Sequence, residues 1–101
     1  MSWLARLTLV RTDEGGRSGP IGQTYRALVY LQGEHEGHDA FVRLVGREWL
    51  FPGETGEVLL DLFHPELLDH PVVEGREFEF REGATRAVAR GEILNSVPAS
   101  R

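Results

Sequence analysis

At 101 residues the chain suits one domain, large enough to bury roughly 60 to 70% of the surface its unfolded form exposes. With 41% apolar and 27% charged residues and no apolar run near the ~18 residues that cross a bilayer, it reads as a globular protein without a membrane span. A net charge of −5 argues against a general, field-driven affinity for nucleic acid, and the absence of cysteine excludes disulfide frameworks, thiol nucleophiles and cysteine zinc sites.

The first segment, Trp3 to Arg11, alternates: Trp3, Ala5, Leu7 and Leu9 fall on one face and Arg6 and Thr8 on the other, the period of a half-buried strand. Arg6, Thr8 and Arg11 also interrupt the apolar stretch that a secretory signal needs, so a cytoplasmic address is expected. Further strands are expected at Thr24 to Gln32, Ala40 to Val45, Glu57 to His64, Glu77 to Arg81 and Thr85 to Leu94. Each is short, rich in β-branched or aromatic residues, and bounded by glycine or proline. In the fourth, Val58, Leu60 and Leu62 share one face, and Leu59 and Phe63 lie among acids on the other, so a second layer or a partner is expected to cover it. In the fifth, Glu77-Phe78-Glu79-Phe80-Arg81 puts both phenylalanines on one side.

Turns are expected at Pro20 to Gly22, Gly33 to Gly37, Pro52-Gly53, Gly56 and Gly75. The stretch Glu66 to His70, framed by Pro65 and Pro71, is too short for a stable helix. Six strands with no sustained 3.6-residue period predict an all-β, six-stranded antiparallel Greek-key β-barrel. Its core spans about residues 3–94, and residues 95–101 form a frayed tail.

Two glycine turns flanked by arginine and glutamate stand about 65 residues apart: Glu14-Gly15-Gly16-Arg17 and Phe80-Arg81-Glu82-Gly83-Ala84-Thr85-Arg86. Between them lie Pro20, Tyr25-Arg26, Pro52-Gly53 and His64-Pro65, and Gly91 follows. In this order and near this spacing, the set resembles the C-terminal barrel, or third domain, of bacterial elongation factor Tu, over residues from about Leu4 to Leu94. The resemblance implies a free-standing binding module without catalysis or cofactor. The chain lacks lysine, so it holds no G-x-x-x-x-G-K-[ST] phosphate loop, and GTP binding by this chain alone is not expected.

In that family the barrel grips the T-stem of aminoacyl-tRNA and packs on protein partners. The resemblance assigns RNA contact to Arg17, His64, Glu82 and Gly83. Arginine suits a phosphate, and a glycine amide can approach a ribose. The bland reading is that the glycines serve their turns while Arg81, Glu82 and Arg86 form a salt-bridge lattice with Glu14. The chain departs from the family pattern at Ser18, at Leu28 and in the acidic turn Gly33-Glu34-His35-Glu36-Gly37-His38-Asp39, which weakens any tRNA contact. Acidic, histidine-bearing turns are usually solvated, so His35, Glu36, His38 and Asp39 are not assigned a metal. No nucleophile motif accompanies the serines.

Trp49-Leu50-Phe51 cannot all point inward from one strand. Either the turn folds them under, the favoured reading, or they expose an apolar patch of the kind that marks interfaces. Phe63, Leu67 and Leu68 pose the same question, so Trp49, Phe51, Phe63 and Leu67 are the protein-interface candidates. The expected function is protein interaction with the translation machinery. The alternatives are accessory tRNA binding and an unrelated use of the same fold.

Overall fold

The computed structural model describes residues 2–83 and 85–97. Alternation of apolar and polar side chains produces six principal strands: β1 (Ser2–Leu9), β3 (Tyr25–Leu31), β4 (His38–Leu44), β6 (Thr55–Leu62), β7 (Glu77–Glu82) and β8 (Arg86–Val97). They close into an antiparallel barrel in the order β1-β6-β4-β3-β7-β8, with β8 returning to pair with β1. Strands β3, β4 and β6 form a meander, and β7 returns to lie beside β3, which is the Greek-key arrangement expected from the sequence. Closure leaves these strands no free edge. The described residues contain no α-helix, and no helix is long and apolar enough to cross a membrane.

The inward faces are those the alternation indicates. Ala5, Leu7 and Leu9 of β1, Val58 and Leu60 of β6 and Phe80 of β7 are among the buried side chains that fill the barrel. The Phe78 and Phe80 rings stack at 5.5 Å between centroids inside it.

Several boundaries differ from the sequence reading. Pro20 to Gly22 is not a simple turn, because β2 (Ile21–Gly22) pairs antiparallel with β5 (Trp49–Leu50) as a separate two-stranded sheet. Gly56 lies within β6, not in a turn. Asn95 to Val97 are not tail: β8 continues through them and pairs with Ser2 to Leu4, so the ordered barrel extends beyond residues 3–94. The remaining tail positions, 98–101, lie outside the described residues. Around the fourth expected strand, Leu59 and Phe63 are half-buried and Phe41 packs on Phe63, so the chain itself supplies part of the expected cover.

Strand registers sort the connections onto two rims. The first rim carries residues 10–24, residues 45–54 and the β7–β8 turn at Gly83. The second carries residues 32–37 and residues 63–76. Strands of this length separate the rims by about 20–25 Å.

Candidate functional site

On the first rim, β1 gives way to a 3-10 turn at Thr12–Glu14, ended by Gly15 at a φ of 94°. Gly16 follows with its α-carbon against the Val10 carbonyl, where any Cβ would collide with backbone oxygen. This turn explains the Gly-Gly pair structurally and delivers Arg17, whose own carbonyl accepts a 2.6 Å hydrogen bond from the Thr12 hydroxyl.

Arg17 is committed to the protein. Its guanidinium bonds the Glu82 carboxylate, donates to the Gly19 and Pro20 carbonyls at 3.3 and 3.4 Å, and lies 5.1 Å over the Tyr25 ring. The Tyr25 hydroxyl donates to Glu82 at 2.6 Å, and Arg86 reaches the other oxygen of Glu82 at 3.5 Å. Glu82 is thus the hub that joins the 10–24 connection, β3 and the β7–β8 hairpin.

Burial tends to raise the pKa of this carboxylate. The hydrogen bonds from Tyr25 and Arg17 and the charges of Arg17 and Arg86 outweigh it and hold Glu82 below the usual range. For Tyr25, burial and its bond to Glu82 push the phenol well above its ordinary value. The lattice expected with Glu14 is therefore built differently: Arg17 makes the long-range tie, while Arg81 bonds Glu79 and lies 3.9 Å over Tyr30. Gly83 is exposed at a φ of 68° with open space beside its α-carbon, so the turn conformation, not close packing, requires glycine there.

His64 is on the opposite rim. It is exposed and its Nδ1 lies 3.2 Å from Glu66. The four positions assigned to RNA by resemblance therefore do not converge: Arg17, Glu82 and Gly83 share the first rim and His64 does not.

The interface candidates divide in the same way. The favoured expectation for Trp49-Leu50-Phe51 is corrected: only Leu50 is buried, and Trp49 and Phe51 remain 54% and 50% exposed. Pairing of β5 with β2 enforces this, because alternation along an extended segment turns the flanking residues outward when the middle one faces in. The presentation is fixed rather than loose. Residues Phe51 to Glu54 form a β-turn with Pro52 second and Gly53, at a φ of 90°, third. Glu54 accepts the Phe51 amide at 2.9 Å on its carboxylate, and the turn is pinned to Leu9 by backbone bonds of 2.9 and 3.0 Å. The Trp49 ring lies across Gly22, where a Cβ would come within 2.9 Å of it.

Phe63 and Leu67 belong to the second rim. Phe63 is half-buried, 4.8 Å from the Phe41 ring and beneath the Arg26 guanidinium, whereas Leu67 is 64% exposed.

The feature that the sequence reading missed is Glu34. Its carboxylate is 1% exposed, although it sits in the acidic turn expected to be solvated. It accepts from the amides of Asp69 and His70 at 2.9 and 3.0 Å and from Arg76 at 2.9 Å. His70 and His38 approach it at 3.4 and 3.6 Å. Arg76 in turn donates to the carbonyls of Gln32, His70 and Pro71. Burial would raise the Glu34 pKa, but these donors hold it down to about 2. The pair clamps the strandless 63–76 connection to the β3–β4 turn.

Beside the clamp lies a cleft of about 450 Å³ lined by His35, His38, His64, Leu67 and Asp69 among others. No three His, Asp or Glu side chains among the described residues come together as metal ligands. A larger depression of about 680 Å³ lies over β7, β8 and β1, lined by Arg6, Tyr30, Glu79, Arg81, Arg90 and Glu92 among others. Its Arg6–Glu92 and Arg81–Glu79 pairs are internally neutralised. No family model matches the chain.

Proposed function

We propose that this protein is a non-catalytic, cytoplasmic protein-binding module of the translation machinery, built on the plan of the third domain of elongation factor Tu. The observation that carries the reading is the rigid presentation of Trp49 and Phe51 to solvent. Two large aromatic side chains held outward by a short sheet and a pinned turn have little conformational freedom to lose on binding, which is how interface anchors act. Of the landmarks, Gly15, Gly16, Arg17, Pro52, Gly53 and Gly83 lie on turns of this same rim, whereas His64 and Pro65 lie on the other. The net charge of −5 favours a protein partner over nucleic acid.

The second reading, accessory tRNA binding, draws support from the gathering of Arg17, Glu82 and Gly83 on that rim. Against it, Arg17 already spends its charge on Glu82, so a phosphate would have to compete with a bonded carboxylate.

Capture from cell extract, with nuclease-treated and untreated halves, separates the two. A protein of the translation machinery retained after nuclease and lost with Trp49→Ala supports the module. Recovery of tRNA that is abolished by nuclease, together with any protein, supports the alternative.

A further inference from the structure

Strands β4 and β6 carry a patch whose charges point to a second copy of this chain. Phe41 pairs across the sheet with Asp61, and Arg43 with Leu59. All four side chains belong to the outward set: Phe41, Arg43 and Asp61 are exposed and Leu59 is half-buried. From strand spacing and rise they mark a near-rectangle of about 4.8 by 6.8 Å. Its apolar residues, Phe41 and Leu59, occupy one diagonal, and Arg43 and Asp61 the other.

The arginine corner is unusual in this molecule. Among the described residues every arginine except Arg43 and Arg90 bonds a carboxylate. Asp61 and Glu57, the acids diagonal to Arg43 on β6, take part in none of these ion pairs, as holds for several other acids of the chain. Arg43 therefore stands unpaired between Phe41 and Val45, which are 46% and 41% exposed, in a chain with an excess of acids. An arginine set among exposed aromatic and aliphatic side chains has the composition of an interface centre.

A twofold contact between identical faces requires an axis lying between them, so that each residue meets its reflection across the axis. If the axis follows the Phe41–Leu59 diagonal, Phe41 meets Phe41 and Leu59 meets Leu59. Arg43 then faces Asp61 of the second copy, and Asp61 faces its Arg43. If the axis follows the other diagonal, Arg43 meets Arg43 and Asp61 meets Asp61, which charge repulsion forbids. An axis along or across the strands sets Arg43 and Asp61 against the apolar corners, so the Phe41–Leu59 diagonal is the axis that pairs opposite charges; it crosses the strands of the two copies at about 70°, near the orthogonal class of sheet packing. Around the rectangle, Leu4 is in register with Leu59 and extends the apolar contact, while Phe63, which packs on Phe41, lies under the Arg26 guanidinium.

We infer that the chain forms an isologous dimer through the outer faces of β4 and β6, with Arg43 and Asp61 paired reciprocally across the twofold axis. This surface is separate from Trp49 and Phe51, and the inference does not depend on the proposed function.

Sedimentation equilibrium of the full chain at concentrations up to about 1 mM tests it, a range that reports a Kd as weak as that value. Wild type associates to a dimer. Arg43→Asp and Asp61→Arg, each placing like charges opposite one another, weaken association by at least about tenfold. An equimolar mixture of the two variants restores the dimer, because opposite charges again face each other at both positions. Circular dichroism of each variant checks that the barrel is folded. A wild-type monomer throughout the range, a dimer indifferent to either reversal, or folded variants whose mixture stays monomeric overturns the inference.

Discussion

The two rims of this barrel are each tied by an arginine and a glutamate, yet the ties differ in kind. On the second rim Glu34 and Arg76 are 1% and 8% exposed, and the carboxylate collects two backbone amides besides the guanidinium. On the first, Glu82 and Arg17 are 28% and 26% exposed, and the ring and hydroxyl of Tyr25 complete the group. A buried ion pair is stable only when the remaining lone pairs and protons are satisfied, and the clamp meets that condition through backbone groups. The hub keeps partial contact with water. One rim is locked for structure; the other keeps its polar groups near the surface and also carries the outward Trp49 and Phe51.

The largest effect is expected from breaking the clamp on one side. Arg76→Ala strands the buried Glu34 charge and several carbonyls, and should cost about 3–5 kcal/mol in urea unfolding. Acid acts on the same group. The folded pKa of Glu34 is lowered from 4.5 to about 2, so its contribution is complete above 4.5 and drains away as pH falls toward 2. The urea midpoint should decline across that window, and Glu34→Gln should flatten the decline.

At the hub the effects are smaller. Glu82→Gln weakens charge-assisted bonds from Arg17, Tyr25 and Arg86 and should cost about 1.5–3 kcal/mol, while Tyr25→Phe, which removes one donor, should cost about 1 kcal/mol in the same assay. Arg86→Ala, at a long and exposed contact, should change stability by less than about 0.5 kcal/mol. A clamp variant no more harmful than the hub variants would erase the distinction between the rims.

Most of the barrel was legible because its strands obey one simple rule. In Trp3 to Leu9 and in Glu77 to Arg81 the period of two alone identifies the inward residues, and glycine or proline marks where each strand stops. The clamp was not legible. Glu34 lies between glycine and histidine in a turn whose composition says solvent, and its burial depends on amides 35 and 36 positions further along the chain. No local pattern encodes that return.

The short β2–β5 sheet escaped for a related reason. Pro20 and Gly22 carry turn signals, and two-residue strands leave no alternation to read. That sheet nevertheless decides the orientation of Trp49, Leu50 and Phe51. Asn95 to Val97 look like a tail because Asn95 and Ser96 are polar and a proline follows, but pairing with the start of β1 needs only backbone. Of the site residues, the first-rim turns were recognisable from their glycines, whereas the commitment of Arg17 to Glu82 required the fold to bring positions 65 residues apart together.

Whether Trp49 and Phe51 form the binding surface is tested directly by calorimetric titration of the purified partner, once captured, against wild type, Trp49→Ala and Arg17→Ala, each checked for folding. Trp49→Ala should weaken binding by at least about tenfold while Arg17→Ala leaves it within about twofold. Unchanged affinity with Trp49→Ala, or a loss confined to Arg17→Ala, would contradict the reading of the exposed aromatic rim as the binding surface.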